Sequence, residues 1–231
     1  MKAIAVNGSP RMEKGDTAMV LAPFLQGLEE AGMEVELLYA SRLRIKPCSC
    51  SNMNCWYTTP GECSIKDGLQ PLYPRIKAAD LLIFATPVYI PLPGAMQNFI
   101  NRLCPLIEPY LEFRQGRTRA RMHSDVKTRS FVLVSTGGWW EKQNMDTVVR
   151  IIEELARDAS VEFGGALLRP HAFLMRQDGK ITPDGEQVLE AAYQAGIQLG
   201  REGCMQPTTL EAISRPLISE PELRKEYNQW I

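Results

Sequence analysis

Four cysteines lie close together, in the pattern Cys48-x-Cys50-x4-Cys55-x7-Cys63. Four thiolates so spaced suit a [4Fe–4S] cluster or a structural zinc ion. Zinc sites favour cysteine pairs with two to four residues between them, and in this run only Cys50 and Cys55, with four between them, fit that spacing. A loop without metal is the third reading. Cys104, before Pro105, and Cys204 stand apart and read as inert thiols.

A second group of residues suits an anion. Gly8-Ser9-Pro10-Arg11 leads into Gly15-Asp16-Thr17. Small residues let backbone N–H groups approach a phosphate, the hydroxyls of Ser9 and Thr17 can donate, and a helix starting near Asp16 adds partial positive charge. Arg11 supplies a charge-assisted contact. No Gly-Lys-Ser/Thr follows Gly8 at the Walker offset, and there is no Gly-x-Gly-x-x-Gly. A third group suits a flat ring: Thr86-Pro87-Val88-Tyr89-Ile90-Pro91 and Ser135-Thr136-Gly137-Gly138-Trp139-Trp140. Here rigid prolines, aromatic faces and glycines permit close backbone approach.

The elements that position these loops follow from apolar patterning. Lys2–Val6, Leu81–Thr86 and Phe131–Ser135 are short apolar runs, predicted as strands buried on both faces. Val35–Tyr39 and Glu162–Leu168 complete five strands. Helical spacing of Met19, Leu21, Phe24, Leu25 and Leu28 predicts a helix capped by Asp16 or Thr17 and ended by Gly32. Further helices are predicted near 69–79, 94–103, 145–156 and 185–200. Alternating strands and helices imply right-handed crossovers and a parallel, doubly wound sheet of order 2-1-3-4-5. Strands 1, 3 and 4 are then neighbours, and the anion and ring loops converge on one crevice. Residues 1–204 are expected to form one domain, with a cysteine-rich loop over 45–67, an irregular insertion over 106–129 and a polar tail over 205–231.

Composition sets limits. Lys and Arg total 26 against 27 Asp and Glu, a net charge of −1, which argues against a nucleic-acid binder or a binder of anionic membranes. Six cysteines in 231 residues are too few for a disulfide scaffold. The uncharged stretch 81–101 is long enough to suggest a membrane span, but Pro87, Pro91, Pro93 and Gly94 interrupt it. No secretory h-region is evident near Met1, so a cytoplasmic location is expected. Arg114, Arg117, Arg119, Arg121, Lys127 and Arg129 make the insertion basic. It reads as a solvated segment or as a rim attracting an anionic partner. His123 and His171 are expected to be structural.

Gly8-Ser9-Pro10-Arg11 with Gly15-Asp16-Thr17, Thr86-Pro87-Val88-Tyr89, Ser135-Thr136-Gly137-Gly138, Ile45-x-Pro47-Cys48, Cys55-Trp56, Gly61-x-Cys63-x-x-x-Asp67 and Phe99-Ile100-x-Arg102-Leu103 together resemble the flavodoxin-like NAD(P)H-dependent FMN reductases, including the iron–sulfur flavoproteins. The resemblance covers about residues 1–168. It implies a three-layer α/β/α fold and an FMN-dependent oxidoreductase drawing on NAD(P)H. It places the FMN phosphate on Ser9, Arg11 and Thr17, and the ring against Pro87, Val88, Tyr89, Ile90, Thr136, Gly137 and Gly138. Backbone N–H groups around Ile90 and Gly137–Gly138 would polarise the ring, and no side chain is expected to act as a catalytic nucleophile or dedicated base. The alternatives are an electron carrier fed by ferredoxin, with a [4Fe–4S] cluster on Cys48, Cys50, Cys55 and Cys63, or a non-catalytic flavin-binding partner subunit. A homodimer or homotetramer is implied. The chain departs from the family at Asp16, where Asn is usual, so Asp16 is left out of the phosphate contacts.

Overall fold

The computed structural model describes residues 1–50 and 52–229; Ser51 of the cysteine-rich loop and the last two residues of the tail lie outside the described residues. Five parallel strands form the central sheet: β1 (Lys2–Asn7), β2 (Glu34–Tyr39), β3 (Leu81–Pro87), β6 (Ser130–Thr136) and β7 (Glu162–Arg169). Their order is β2-β1-β3-β6-β7, the expected 2-1-3-4-5 arrangement counted over the sheet strands alone. Ala3 to Asn7, Leu81 to Thr86 and Phe131 to Thr136 are all buried, as continuous apolar runs in central parallel strands require. β2 lies at an edge and is only half-buried.

Helices cover both faces in a three-layer α/β/α arrangement. On one face α1 (Asp16–Glu30) packs against α6 (Pro183–Glu202). Their closest approach needs glycine on both sides: a Cβ on Gly27 would lie 2.1 Å from the Tyr193 carbonyl oxygen, and one on Gly196 2.1 Å from that of Phe24. On the other face α4 (Gly94–Asn101) and α5 (Asp146–Ala159) cover an aromatic cluster. There Phe84 meets Phe131 edge-on at 5.2 Å and Phe99 at 6.0 Å. α5 buries Val148, Ile152, Ala156 and Ala159, one stripe of the helix.

Several local details differ from expectation. The residue capping α1 is Gly15, not Asp16 or Thr17. At the other end Gly32, with φ +85°, sits one place past the C-cap: its N–H donates to Glu29 O and that of Met33 to Leu28 O, a Schellman ending. Two prolines shorten the helix expected over 69–79 to a 3-10 turn at Gln70–Leu72 and α3 (Tyr73–Lys77). A four-residue helix, α2 (Asn54–Tyr57), lies within the cysteine loop.

The insertion over 106–129 is not irregular. It forms an antiparallel hairpin of β4 (Ile107–Arg114) and β5 (Arg117–Met122), turning at Gln115 and Gly116, both with positive φ. Most of its arginines are paired, and Arg119 is buried. Arg117 and Arg119 reach Glu154 on α5 (3.3 and 3.5 Å), Arg119 reaches Asp158 (2.9 Å), Arg121 pairs with Glu108 (2.6 Å) and Arg114 with Glu112. The basic stretch therefore clamps the hairpin to α5. The tail is likewise ordered, as α7 (Pro207–Ser214) and α8 (Glu220–Asn228), with Ile213 and Leu223 buried; a small β8–β9 hairpin (Arg176–Gln177, Lys180–Ile181) precedes α6.

Candidate functional site

β1, β3 and β6 are adjacent, so the loops after Asn7, Pro87 and Thr136 emerge together at the carboxyl end of the sheet, where open α/β sheets bind ligands. The first loop leaves β1 through Gly8, whose N–H donates to Ala85 O (2.7 Å). Ser9 is buried; its N–H donates to Asn7 Oδ1 (2.8 Å), and its hydroxyl accepts from the Arg11 N–H (3.3 Å). The loop curls so tightly that a Cβ on Gly15 would lie 2.7 Å from Ser9 Oγ. It then delivers the first turn of α1, which no side chain caps; Ala18 N–H donates to Gly15 O (3.0 Å).

Arg11 and Asp16 pair beside this cradle at 3.2 Å. Arg176, from the β8–β9 hairpin, pairs with the other oxygen of the same carboxylate, also at 3.2 Å. Asp16 thus holds two guanidinium groups at the cradle. It faces away from the helix-capping role, which Gly15 fills. Arg176 lies 160 residues from its partner, a separation that leaves no local sequence signal. Thr17 is buried and its hydroxyl meets that of Thr136 at 2.7 Å, joining the anion loop to the ring loop.

The ring loops brace one another. Val88 N–H donates to Thr136 O (2.8 Å), Tyr89 N–H to Pro91 O (2.7 Å), and Ser135 Oγ to Thr86 O (2.9 Å). The Ile90–Pro91 peptide is cis, and Ile90 is fully exposed. A cavity of about 430 Å³ opens against Val88, Tyr89, Ile90, Gly137, Gly138, Trp139, Glu141, Asn144 and Met145. Pro87 and Thr136, also expected against the ring, are not among its lining residues. Gly137 N–H donates to Arg169 O (3.0 Å), so it is not available to polarise a ring, contrary to expectation. A Cβ on Gly137 would meet only Met145, at 3.8 Å, so the space before it is open. A larger hollow of about 750 Å³ between α6 and α7, lined by Glu186, Gln187, Glu190 and Gln194, receives none of the strand-end loops.

Behind the ring loop stands a polar brace. Arg169, fully buried, donates to Pro170 O (2.6 Å), Ile213 O (2.8 Å) and Arg215 O (2.9 Å), and contacts His171 Nε2 at 2.7 Å. Burial, and then Arg215, push Arg169 down to about 10. His171 Nε2 accepts from Leu217 N–H (3.1 Å), and His171 N–H donates to Trp139 O (3.0 Å). Burial and the Arg169 charge push His171 down to about 4, which keeps its ring neutral near pH 7. His171 is structural, as expected, but its role in joining the tail to the ring loop was not legible.

The cysteine loop is built differently. Cys48, Cys50, Cys55 and Cys63 surround one small hollow, and Cys104 joins them as a fifth thiol. Asn54 N–H donates to Cys50 Sγ (3.1 Å) and Trp56 Nε1 to Cys104 O (3.1 Å). Burial pushes the Cys55 thiol up, and burial with the Cys55 neighbour pushes Cys104 up to about 12. Among the described residues no three Cys, His, Asp or Glu side chains are grouped so as to hold a metal ion. What holds the loop is an ion pair. Arg102 reaches Asp67 at 2.7 Å, both side chains almost wholly buried, and also donates to Lys46 O (3.0 Å) and Ile65 O (3.2 Å). Burial alone would raise the Asp67 carboxyl, but Arg102 and the N–H groups of Lys46 and Leu69 outweigh it and hold it below the usual range.

Residues 1–152 match the family described as NADPH-dependent FMN reductase, and the chain belongs to that family. An iron–sulfur flavoprotein of Archaeoglobus fulgidus is 34% identical over 107 residues, 46% of each chain. The chain thus spans about half the length of such a curated relative. Among solved structures, a putative quinone reductase from Klebsiella pneumoniae superposes with a TM-score of 0.63 at 15% identity, over 90% of this chain and 86% of that one. An FMN-dependent NADH-azoreductase from Bacillus anthracis, in complex with FMN, gives 0.57 at 11% identity, over 88% and 99%. Likeness at these identities extends to the fold alone.

Proposed function

We propose that the protein is an FMN-dependent oxidoreductase that takes electrons from NAD(P)H and passes them to a second substrate. The observation carrying this reading is the joining, through the Thr17–Thr136 hydroxyl contact, of an anion cradle and an open ring-sized cavity at the switch point of the sheet. The residues fit FMN. Ser9, the first turn of α1 and Arg11, with Arg176 behind it, suit the phosphate; Val88, Tyr89, Ile90, Gly137 and Gly138 suit the ring. The redox chemistry belongs to the flavin; the chain binds, orients and shields it. Ile90 and Gly138 take the ring-facing backbone role that Gly137 cannot. Anaerobic mixing of FMN-loaded protein with NADPH, then NADH, tests the donor: bleaching of the flavin band by either supports a nicotinamide reductase. Bleaching by reduced ferredoxin alone transfers the reading to an electron carrier.

A second reading, a [4Fe–4S] cluster on Cys48, Cys50, Cys55 and Cys63, is favoured by five thiols around one hollow and by relatives named iron–sulfur flavoprotein. Iron and acid-labile sulfide in equal amounts after anaerobic purification would support it. A homodimer or homotetramer is part of the proposal, and light scattering decides it. A cytoplasmic location is also part of the proposal, and no described helix is long and apolar enough to cross a membrane.

A further inference from the structure

We propose that Cys55 and Cys104 form a reversible dithiol–disulfide couple: exchange with a small disulfide joins them and locks α2 to the 3-10 turn Cys104–Leu106. The proposal goes beyond the flavin reading and does not depend on it. Five thiols line one hollow, and their other contacts decide which two are left for each other. Cys50 Sγ accepts the Asn54 N–H (3.1 Å), and the Cys63 thiol hydrogen-bonds with the Tyr73 hydroxyl. Cys48 is the exposed one of the five. Cys55 and Cys104 hydrogen-bond through their thiols. The backbones that carry them are tied together as well. α2 packs on the turn, Trp56 Nε1 donates to Cys104 O (3.1 Å), and Gly61 N–H donates to Cys55 O (3.0 Å). The turn is fixed by buried Pro105 and Leu106, and Leu106 O accepts the His123 N–H (2.9 Å). A disulfide closes without remodelling only where two backbones are already held together, as these are.

The hollow holds about 10 Å³, room for one water molecule at most. A cluster on these thiols would require the loop to open; a disulfide requires only that two thiols in contact lose their hydrogens. Both uses take Cys55, so they exclude each other. Burial pushes the Cys55 thiol up and the Cys104 thiol up to about 12, so neither is a ready nucleophile toward an outside oxidant. Exposed Cys48 is the entry. Its thiolate attacks one sulfur of a small disulfide such as glutathione disulfide and expels a small thiolate. Cys55 then attacks the Cys48 sulfur and expels the second small thiolate, and Cys104 attacks Cys55 and returns Cys48 to the thiolate. Two protein thiols and one small disulfide go in; one protein disulfide and two small thiols come out, carrying the two protons. A pair that closes and reopens in this way is a redox sensor, not a scaffold disulfide.

The test uses the full FMN-loaded chain, with iron measured first and any iron removed by chelation. The chain is incubated with glutathione disulfide and its free thiols are blocked with N-ethylmaleimide. Trypsin then releases residues 45–66 and 103–114 as separate peptides. The expected result is a link between these two peptides in most chains, reversed by dithiothreitol, with fragmentation of the wild-type pair placing it on Cys55. The link disappears in Cys55→Ser and Cys104→Ser, stays in Cys50→Ser and Cys63→Ser, and forms about ten-fold more slowly in Cys48→Ser. Recovery of Cys104 alkylated while the loop thiols pair among themselves overturns the couple, as does a link that persists in Cys55→Ser. If the chain takes up no FMN, the oxidoreductase reading fails on its own. The link is read by mass in the flavin-free chain too, and its absence there also overturns the couple.

Discussion

The anion-and-ring crevice and the cysteine loop lie near the same end of the sheet but are organised on opposite principles. The crevice is made of short connections whose backbone groups bond one another: Val88 to Thr136, Gly8 to Ala85, Tyr89 to Pro91. Its geometry is set by the strands themselves. The cysteine loop is a long excursion that no strand supports, tied down by one buried ion pair, Arg102–Asp67, and by side-chain bonds to Asn98 and Trp56. A ligand site can be pre-formed in the first setting. In the second, five thiols are gathered around one hollow.

The largest effect should come from the clamp. Arg102→Ala leaves the Asp67 carboxylate buried and unpaired, with an expected loss of about 3–5 kcal/mol in urea unfolding. Cysteine alkylation in the loop should accelerate at the same time, while FMN affinity of the folded fraction stays within about two-fold. Equal loss of FMN binding would mean that the two regions are not independent.

The next effect is pH-dependent and belongs to the crevice side. His171 is depressed in the fold, so its neutral form is the native one. The unfolded chain therefore takes up a proton first as pH falls. Stability is fully present above about 6.5, and is lost progressively between there and about 4, by an amount on the order of 3 kcal/mol. His171→Gln should flatten that part of the profile, and a wild-type profile unchanged over this range would remove the neutral-brace account.

Within the crevice, Arg11→Ala should weaken FMN by ~1–3 kcal/mol and leave riboflavin, which lacks the phosphate, unaffected. Gly137→Val should fold normally, because only Met145 stands near the new side chain, yet lose flavin occupancy because the valine enters the open space. Full occupancy in that variant would misplace the ring. The smallest effect concerns Asp16: Asp16→Asn releases Arg11 and Arg176 and should tighten FMN by about 0.5–1 kcal/mol.

What the sequence makes legible divides along the same line. Apolar runs such as Leu81–Thr86 carry strand identity in themselves, and alternation with helices then dictates sheet order and the convergence of Ser9, Val88 and Gly137. Features that depend on distant partners do not announce themselves. Arg119 reads as a solvated cation until α5 brings Asp158 to it. The β4–β5 hairpin is hidden because a register shift between Glu108 and Glu112 breaks its period of two. Arg176, His171 and Tyr227 reach the crevice only through the fold of residues beyond 152. Gly15 and Asp16 show a finer limit: both suit a helix start, and the loop's tight turn around Ser9 decides for glycine.

The central claim is that the crevice is a pre-formed FMN site, and a fluorescence titration of flavin-free protein with FMN and with riboflavin tests it most directly. Stoichiometric quenching by FMN, with riboflavin bound at least ten-fold more weakly, is the predicted result. No binding of FMN, or equal binding of the two flavins, would contradict it.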